Sequence, residues 1–348
     1  MIKLNFILDK NLAFIYFIHA LVAWSPYQST NERKRFKEVV SPLSKEENEV
    51  LGKFEQALKK PGNGYRLAWQ MYAKKTNDTE STSIVEIISI FKKKFNVFWE
   101  QELKPMRLWR DFLESYDWGA HSLLLNKVRH FFNVGRGAFP REINIYIVPG
   151  AGERFVSAHT HQTQPDMIVL NISQFSKEKY KDVISTVLHE IIHQIEYKST
   201  LSRKLYKKAR IRYITPLIAT SNWNKATLPN WSHLFRETII TSIAGQGDNS
   251  YFFLDHSSVG AVESSHIKTI GICLRKRQYN QFIRQTARFI VGKTKYYLDH
   301  KKVIDLDFVK EISKIWLKTL KTPEIKVKKT SYTFARIAGF FISLLVKS

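Results

Sequence analysis

The sequence predicts an α+β protein, mainly helical, in which a small mixed sheet precedes a long apolar helix. Three observations lead there. Apolar residues recur at helical spacing from Asn31 to about Phe132 and again, beyond a turn-rich break, from Ile267 onward. Around Pro140 the period shortens to two: Ile143, Ile145 and Ile147 alternate with Asn144, Tyr146 and Val148, and Met167-Ile168-Val169-Leu170 is a second β-type run. From Val183 to Ile195 the helical period returns, with a face too wide and too apolar for a solvated helix. These changes divide the chain into a helical amino-terminal region, 1–140, a core of strands and helices, 141–245, and a helical carboxy-terminal region, 246–348.

Each element has a local reason. Ile2 to Leu8 alternates partly, as a half-buried strand does, and Asp9 stands where it would N-cap a helix running through Ala23. The apolar stretch Leu12–Trp24 has the alternative reading of a secretory leader. Asp9 and Lys10 separate it from the apolar residues of the amino end and no small-x-small cleavage pattern lies near Ser25-Pro26, so a folded helix in a cytoplasmic protein is expected, with secretion as the alternative. Ser44-Lys45-Glu46-Glu47 and Ser83-Ile84-Val85-Glu86 have the form of capping boxes, and Pro61-Gly62-Asn63-Gly64 is a turn. Trp69, Trp99, Trp109 and Trp118 recur among apolar residues and are expected in the core.

Between the two β runs, Gly150-Ala151-Gly152 and His159-Thr160-His161 read as loop, the histidine pair being a lesser candidate for metal or substrate contact. Ser176 is the expected N-cap of the next helix, with Glu178 in its first turn and an end near Lys198. Gly245-Gln246-Gly247-Asp248-Asn249-Ser250 breaks the chain after a further apolar helix. The apolar run Ala335–Val346 is too short to span a bilayer and is expected to dock as a terminal helix, so no transmembrane segment is expected.

Composition bounds the function. With 44% hydrophobic and 13% aromatic residues, the chain has the apolar surface to fold. Its single cysteine, Cys273, excludes an intrachain disulfide framework and a cysteine-based zinc finger, and suits a reducing compartment. A formal charge of +24, from 55 Lys+Arg against 31 Asp+Glu, keeps nucleic acid or an anionic surface open as an alternative partner. The densest basic cluster is Arg203–Arg212.

The chemistry is concentrated in Thr186-Val187-Leu188-His189-Glu190-Ile191-Ile192-His193-Gln194-Ile195. Histidines four apart lie one above the other on a helix, so His189 and His193 can grip one metal ion, with Glu190 beside its open coordination position. Neutral imidazoles hold Zn²⁺ without cancelling its charge, which lets the metal lower the pKa of a bound water to roughly 7. A carboxylate there can accept the water's proton during attack on a carbonyl and pass it to the leaving amine.

This stretch resembles the active-site helix of the zincin metallopeptidases. The resemblance implies a zincin-like fold, zinc as cofactor, a peptide or protein substrate and a third protein ligand downstream. The metzincin branch would have a glycine and a third histidine where Glu196 and Ser199 stand, so that branch is excluded. The gluzincin branch takes a glutamate from a second helix, and Phe235-Arg236-Glu237-Thr238-Ile239-Ile240 resembles that helix, which makes Glu237 the expected third ligand. His233, one turn earlier on the same face, is the alternative ligand or a supporting partner. The family also implies a Tyr or His that hydrogen-bonds the oxyanion, with Tyr251, His256 and His266 as unranked candidates. The expected activity is zinc-dependent hydrolysis of a peptide bond. Its rivals are a basic nucleic-acid- or anionic-surface-binding protein and a non-catalytic relative of the peptidases.

Overall fold

The computed structural model describes residues 2–22, 36–59, 89–150, 156–161, 164–172, 174–215, 231–245 and 276–320. Outside them lie Trp69, the 61–64 turn, the second expected capping box at 83–86, Ala151 and Gly152, Gln246–Ser250, Tyr251, His256, His266, Cys273 and the 335–346 run. The described chain is mainly helical with one small mixed sheet. It divides into two compact units, Met1–Leu123 with Phe139–Gln194, and Leu124–Ala138 with Ile195–Ser348.

The first unit holds the sheet. Strands β1 (Lys3–Ile7), β2 (Glu142–Pro149), β3 (Val156–His161) and β4 (Gln164–Ile172) stand in the order β1-β2-β4-β3. β1 and β4 both run parallel to β2, and β3 returns antiparallel to β4 as an edge strand. The alternation holds over 143–147, where Ile143, Ile145 and Ile147 are fully buried and Asn144 and Tyr146 only half-buried, and fails at Val148, which is fully buried. β3 corrects the expectation of a loop at 159–161. Val-Ser-Ala-His-Thr-His lacks a clean apolar period because an edge strand is packed along one border only, and its pairing with β4 supplies the order.

Helix α1 (Lys10–Leu21) starts where Asp9 Oδ1 accepts from the backbone N–H groups of Asn11 and Leu12 at 2.8 and 2.9 Å, as expected of the cap. The side chain of His19 is buried in it, and burial pushes its pKa down to about 4, so the ring is neutral. α2 (Lys45–Lys59) opens with the expected capping box: Ser44 N–H donates to Glu47 Oε2 at 2.7 Å and Glu47 N–H to Ser44 Oγ at 3.0 Å. α3 (Lys92–Ser115) packs with α1 against β2, and Phe17 meets Phe95 and Phe98 at ring separations of 5.3 and 5.2 Å. Trp99 and Trp109 are buried in this core as expected, whereas Trp118 is half-buried and stacks on Phe6.

The nearly buried Glu47 carboxylate also pairs with Lys94 at 2.7 Å. Burial opposes its charge, but the Lys94 ammonium and the Ser44 N–H outweigh that and hold its pKa below the ordinary carboxylate value. A depressed carboxylate contributes stability above its unfolded pKa and loses it as pH falls through the folded one. The Lys94→Met variant is therefore expected to be less stable than wild type near neutrality, with the gap closing at acid pH below the carboxylate range. Urea midpoints at the two pH values read this directly.

The second unit is helical: α4 (Ser122–Phe131, whose first residues precede the division), the end of α5 (Tyr180–Lys198), α6 (Thr200–Ala209), α7 (Trp231–Ala244), α8 (Lys276–Asp299) and α9 (Leu306–Leu320). Tyr206, Phe235 and Trp316 stack through its core, with ring separations of 5.6 and 4.3 Å. Asp305 caps α9, accepting from Phe308 N–H at 2.8 Å and from the Tyr297 hydroxyl at 2.9 Å.

Candidate metal centre

The centre is built on α5. Val183, Val187, Leu188, Ile191, Ile192 and Ile195 are all buried, so the wide apolar face read from the sequence is packed as expected. Ser176 does not cap this helix. It precedes a short 3₁₀ turn, Lys177–Lys179, and its side chain makes no capping bond. Asp182 takes the acidic place in the first turn of α5. The helix ends at Lys198, as read.

With the apolar face turned inward, the polar positions 189, 190 and 193 meet one another. His189 is half-buried, and Glu190 and His193 are buried. His189 Nε2 and His193 Nε2 stand 3.1 Å apart, with the ring planes inclined at 69°. One ligand atom from each of His189, Glu190 and His193 falls within 4.8 Å of the other two.

Two donors on one tetrahedral zinc, each at about 2.0–2.1 Å, would be roughly 3.3 Å apart, so the observed separation fits a shared ion. Two imidazole nitrogens are also donors that zinc accepts. The same separation suits an N–H···N bond between the rings when no cation joins them.

Glu237 and His233 belong to the second unit, on α7, where Glu237 Oε1 is 3.6 Å from His233 Nδ1, so the two do share a helix face. Both side chains are partly exposed, at 19% and 31%. His159 lies on β3, where its Nε2 is 2.5 Å from the Tyr16 hydroxyl of α1. That ring is engaged with α1 and is not part of the three-donor cluster found among the described residues.

Two supporting residues escaped the sequence reading. Gln194, fully buried directly after His193, donates from Nε2 to the Met167 carbonyl at 3.1 Å and to Thr160 Oγ1, fastening α5 to β3 and β4. Glu196 is fully buried too, paired with Arg236 and accepting from Ser202 Oγ at 2.8 Å. Burial works against the Arg236 charge, yet Glu196, with Tyr197 and Tyr206 beside it, outweighs that and raises the guanidinium's pKa. Arg236 also lies over the Tyr197 ring at 4.7 Å. Ser199 caps α6, its Oγ accepting from Ser202 N–H at 3.0 Å and donating to the Phe132 carbonyl at 2.6 Å. Glu196 and Ser199, the residues at the two places that distinguish the metzincins, thus hold the second unit together. The one signal for Gln194 and Glu196 was a polar residue inside an apolar run.

Comparison with known proteins adds no name to this geometry: no family model matches the chain, and neither a curated protein nor a solved structure is significantly similar to it.

Proposed function

We propose that the chain is a zinc peptidase of the zincin type, gluzincin-like, hydrolysing peptide bonds. The observation that carries this is the pair of imidazole nitrogens 3.1 Å apart on one buried helix, with the carboxylate of Glu190 beside them. His189 and His193 hold the metal, and Glu237 is the sequence's candidate for the third ligand. A bound zinc supplies a water acidified to roughly pKa 7 and a Lewis acid towards the scissile carbonyl. Glu190 takes a proton as the new C–O bond forms and delivers it to the leaving nitrogen. A neutral ligand pair beside a buried carboxylate suits this division of labour, because a structural zinc has no use for a base next to its ligands.

The sheet supports the same reading. β3 is an antiparallel edge strand tied through Thr160 to Gln194, the neighbour of His193. An extended peptide adding to such an edge would gain main-chain hydrogen bonds and run beside the metal helix.

The purified protein is expected to carry about one zinc per chain, and His189→Ala or His193→Ala to abolish it. Elemental analysis of protein never exposed to chelator, followed by zinc titration, decides this. No zinc and no uptake would end the peptidase reading. In the same assay Glu237→Ala is expected to weaken zinc retention and His233→Ala to leave it intact. The reverse order would make the site a three-histidine one.

A further inference from the structure

We infer that α6 and the turn following it form a docking face for an anionic lipid surface. This stretch presents its residues in pairs: Ser202, Leu205, Tyr206 and Ala209 are buried, while Arg203, Lys204, Lys207 and Lys208 are exposed. Residues 210–214 continue as a single π-helical turn, closed by the Thr215 N–H donating to the Arg210 carbonyl. The wider turn advances each residue through a smaller angle, which returns Ile214 to the buried side and leaves Arg210, Ile211 and Arg212 exposed.

The result is a single-signed face about 15 Å long. Six cationic residues, Arg203, Lys204, Lys207, Lys208, Arg210 and Arg212, are exposed, Arg203 also donating from Nε to the Ser199 carbonyl at 3.3 Å, and no acidic residue occurs from 200 to 215. Among the described residues none of the six has a carboxylate within ion-pair distance. The face is rigidly backed, since Tyr206 stacks on Phe235 at 5.6 Å and α6 packs against α7 and α9.

Charge alone would fit any polyanion. The aliphatic side chain set among the charges selects between them. Ile211, one turn beyond Lys207, is 61% exposed amid the cations. A bilayer interface accepts such a side chain below the headgroups while the flanking cations stay among lipid phosphates and carboxylates. A duplex phosphate ridge offers it nothing, and the aromatic nearest on this face, Tyr213, is only half-exposed and lies under Arg212, so among the described residues no platform for stacking bases is presented.

The test uses the full chain with vesicles of phosphatidylcholine alone or mixed with phosphatidylserine, read by co-sedimentation at low and physiological salt. Wild type is expected to bind the mixed vesicles only, and less at higher salt. The combined variant Lys204→Gln, Lys207→Gln, Lys208→Gln and Arg210→Gln should lose about fivefold per cation, a few hundredfold in all. These positions are exposed, and an unchanged circular dichroism spectrum confirms the fold. Ile211→Ser should weaken vesicle binding by a smaller factor with all charges retained. Equal binding to both vesicle types, or a combined variant that binds like wild type, overturns the proposal. So does a wild type that ignores vesicles and binds an RNA or DNA duplex with steep salt dependence, which would assign the face to nucleic acid. Zinc content and peptidase activity enter none of these outcomes.

Discussion

Peptide hydrolysis by the Glu190→Gln variant is expected to fall by at least about 10²–10⁴-fold, with zinc content unchanged. Gln keeps the size of the side chain and a carbonyl oxygen in the same place, so the buried position stays filled. What it lacks is a basic oxygen. Proton transfer is thereby separated from metal binding, which the proposed mechanism assigns to the imidazoles of His189 and His193, 3.1 Å apart. The measurement is cleavage of a mixed peptide library by wild type and variant, scored as new termini by mass spectrometry, with zinc determined on the same samples. Equal cleavage by both would move the chemistry to a contaminant or another site. No cleavage by either at full zinc content would leave a binding-only relative of the peptidases.

The largest effect on stability is expected from Glu196→Ala, a loss of about 3–5 kcal/mol. Removing this carboxylate leaves the Arg236 guanidinium, 14% exposed, without its buried counter-charge and the Ser202 hydroxyl without its acceptor. Glu196→Gln keeps a hydrogen-bond acceptor and should cost less. Replacing both partners, Glu196→Ala with Arg236→Ala, should cost clearly less than the sum of the single changes, because no orphaned charge remains. Chemical unfolding of the four proteins gives the coupling directly. Additive losses would mean that the pair contributes packing and not charge compensation. The readout is stability because Arg236 precedes Glu237, whose own assay is zinc retention.

The capping residues and helix faces were legible because they are local properties. Asp9, the Ser44–Glu47 box and the 143–147 alternation each act within a few residues of themselves, so the sequence states them outright. Ser176 shows the limit of the same logic. A serine in the right place caps nothing when the first turn is 3₁₀ and the α-helix starts later, at Tyr180. β3 was illegible for a related reason: Ser157 to His161 show no apolar alternation, and their order comes from hydrogen bonds to β4.

The sequence by itself determined that His189 and His193 meet, since a one-turn spacing on an apolar helix sets their side chains together whatever surrounds that helix. Tertiary structure alone decided how the helix is held and how the chain is partitioned. Gln194 finds the Met167 carbonyl 27 residues earlier in the chain, and Glu196 finds Arg236 40 residues later. A buried polar group must be satisfied by whatever partner packing brings to it, and no local pattern names that partner. The unit boundary falls inside α5, between Gln194 and Ile195, where helical periodicity runs on without a mark.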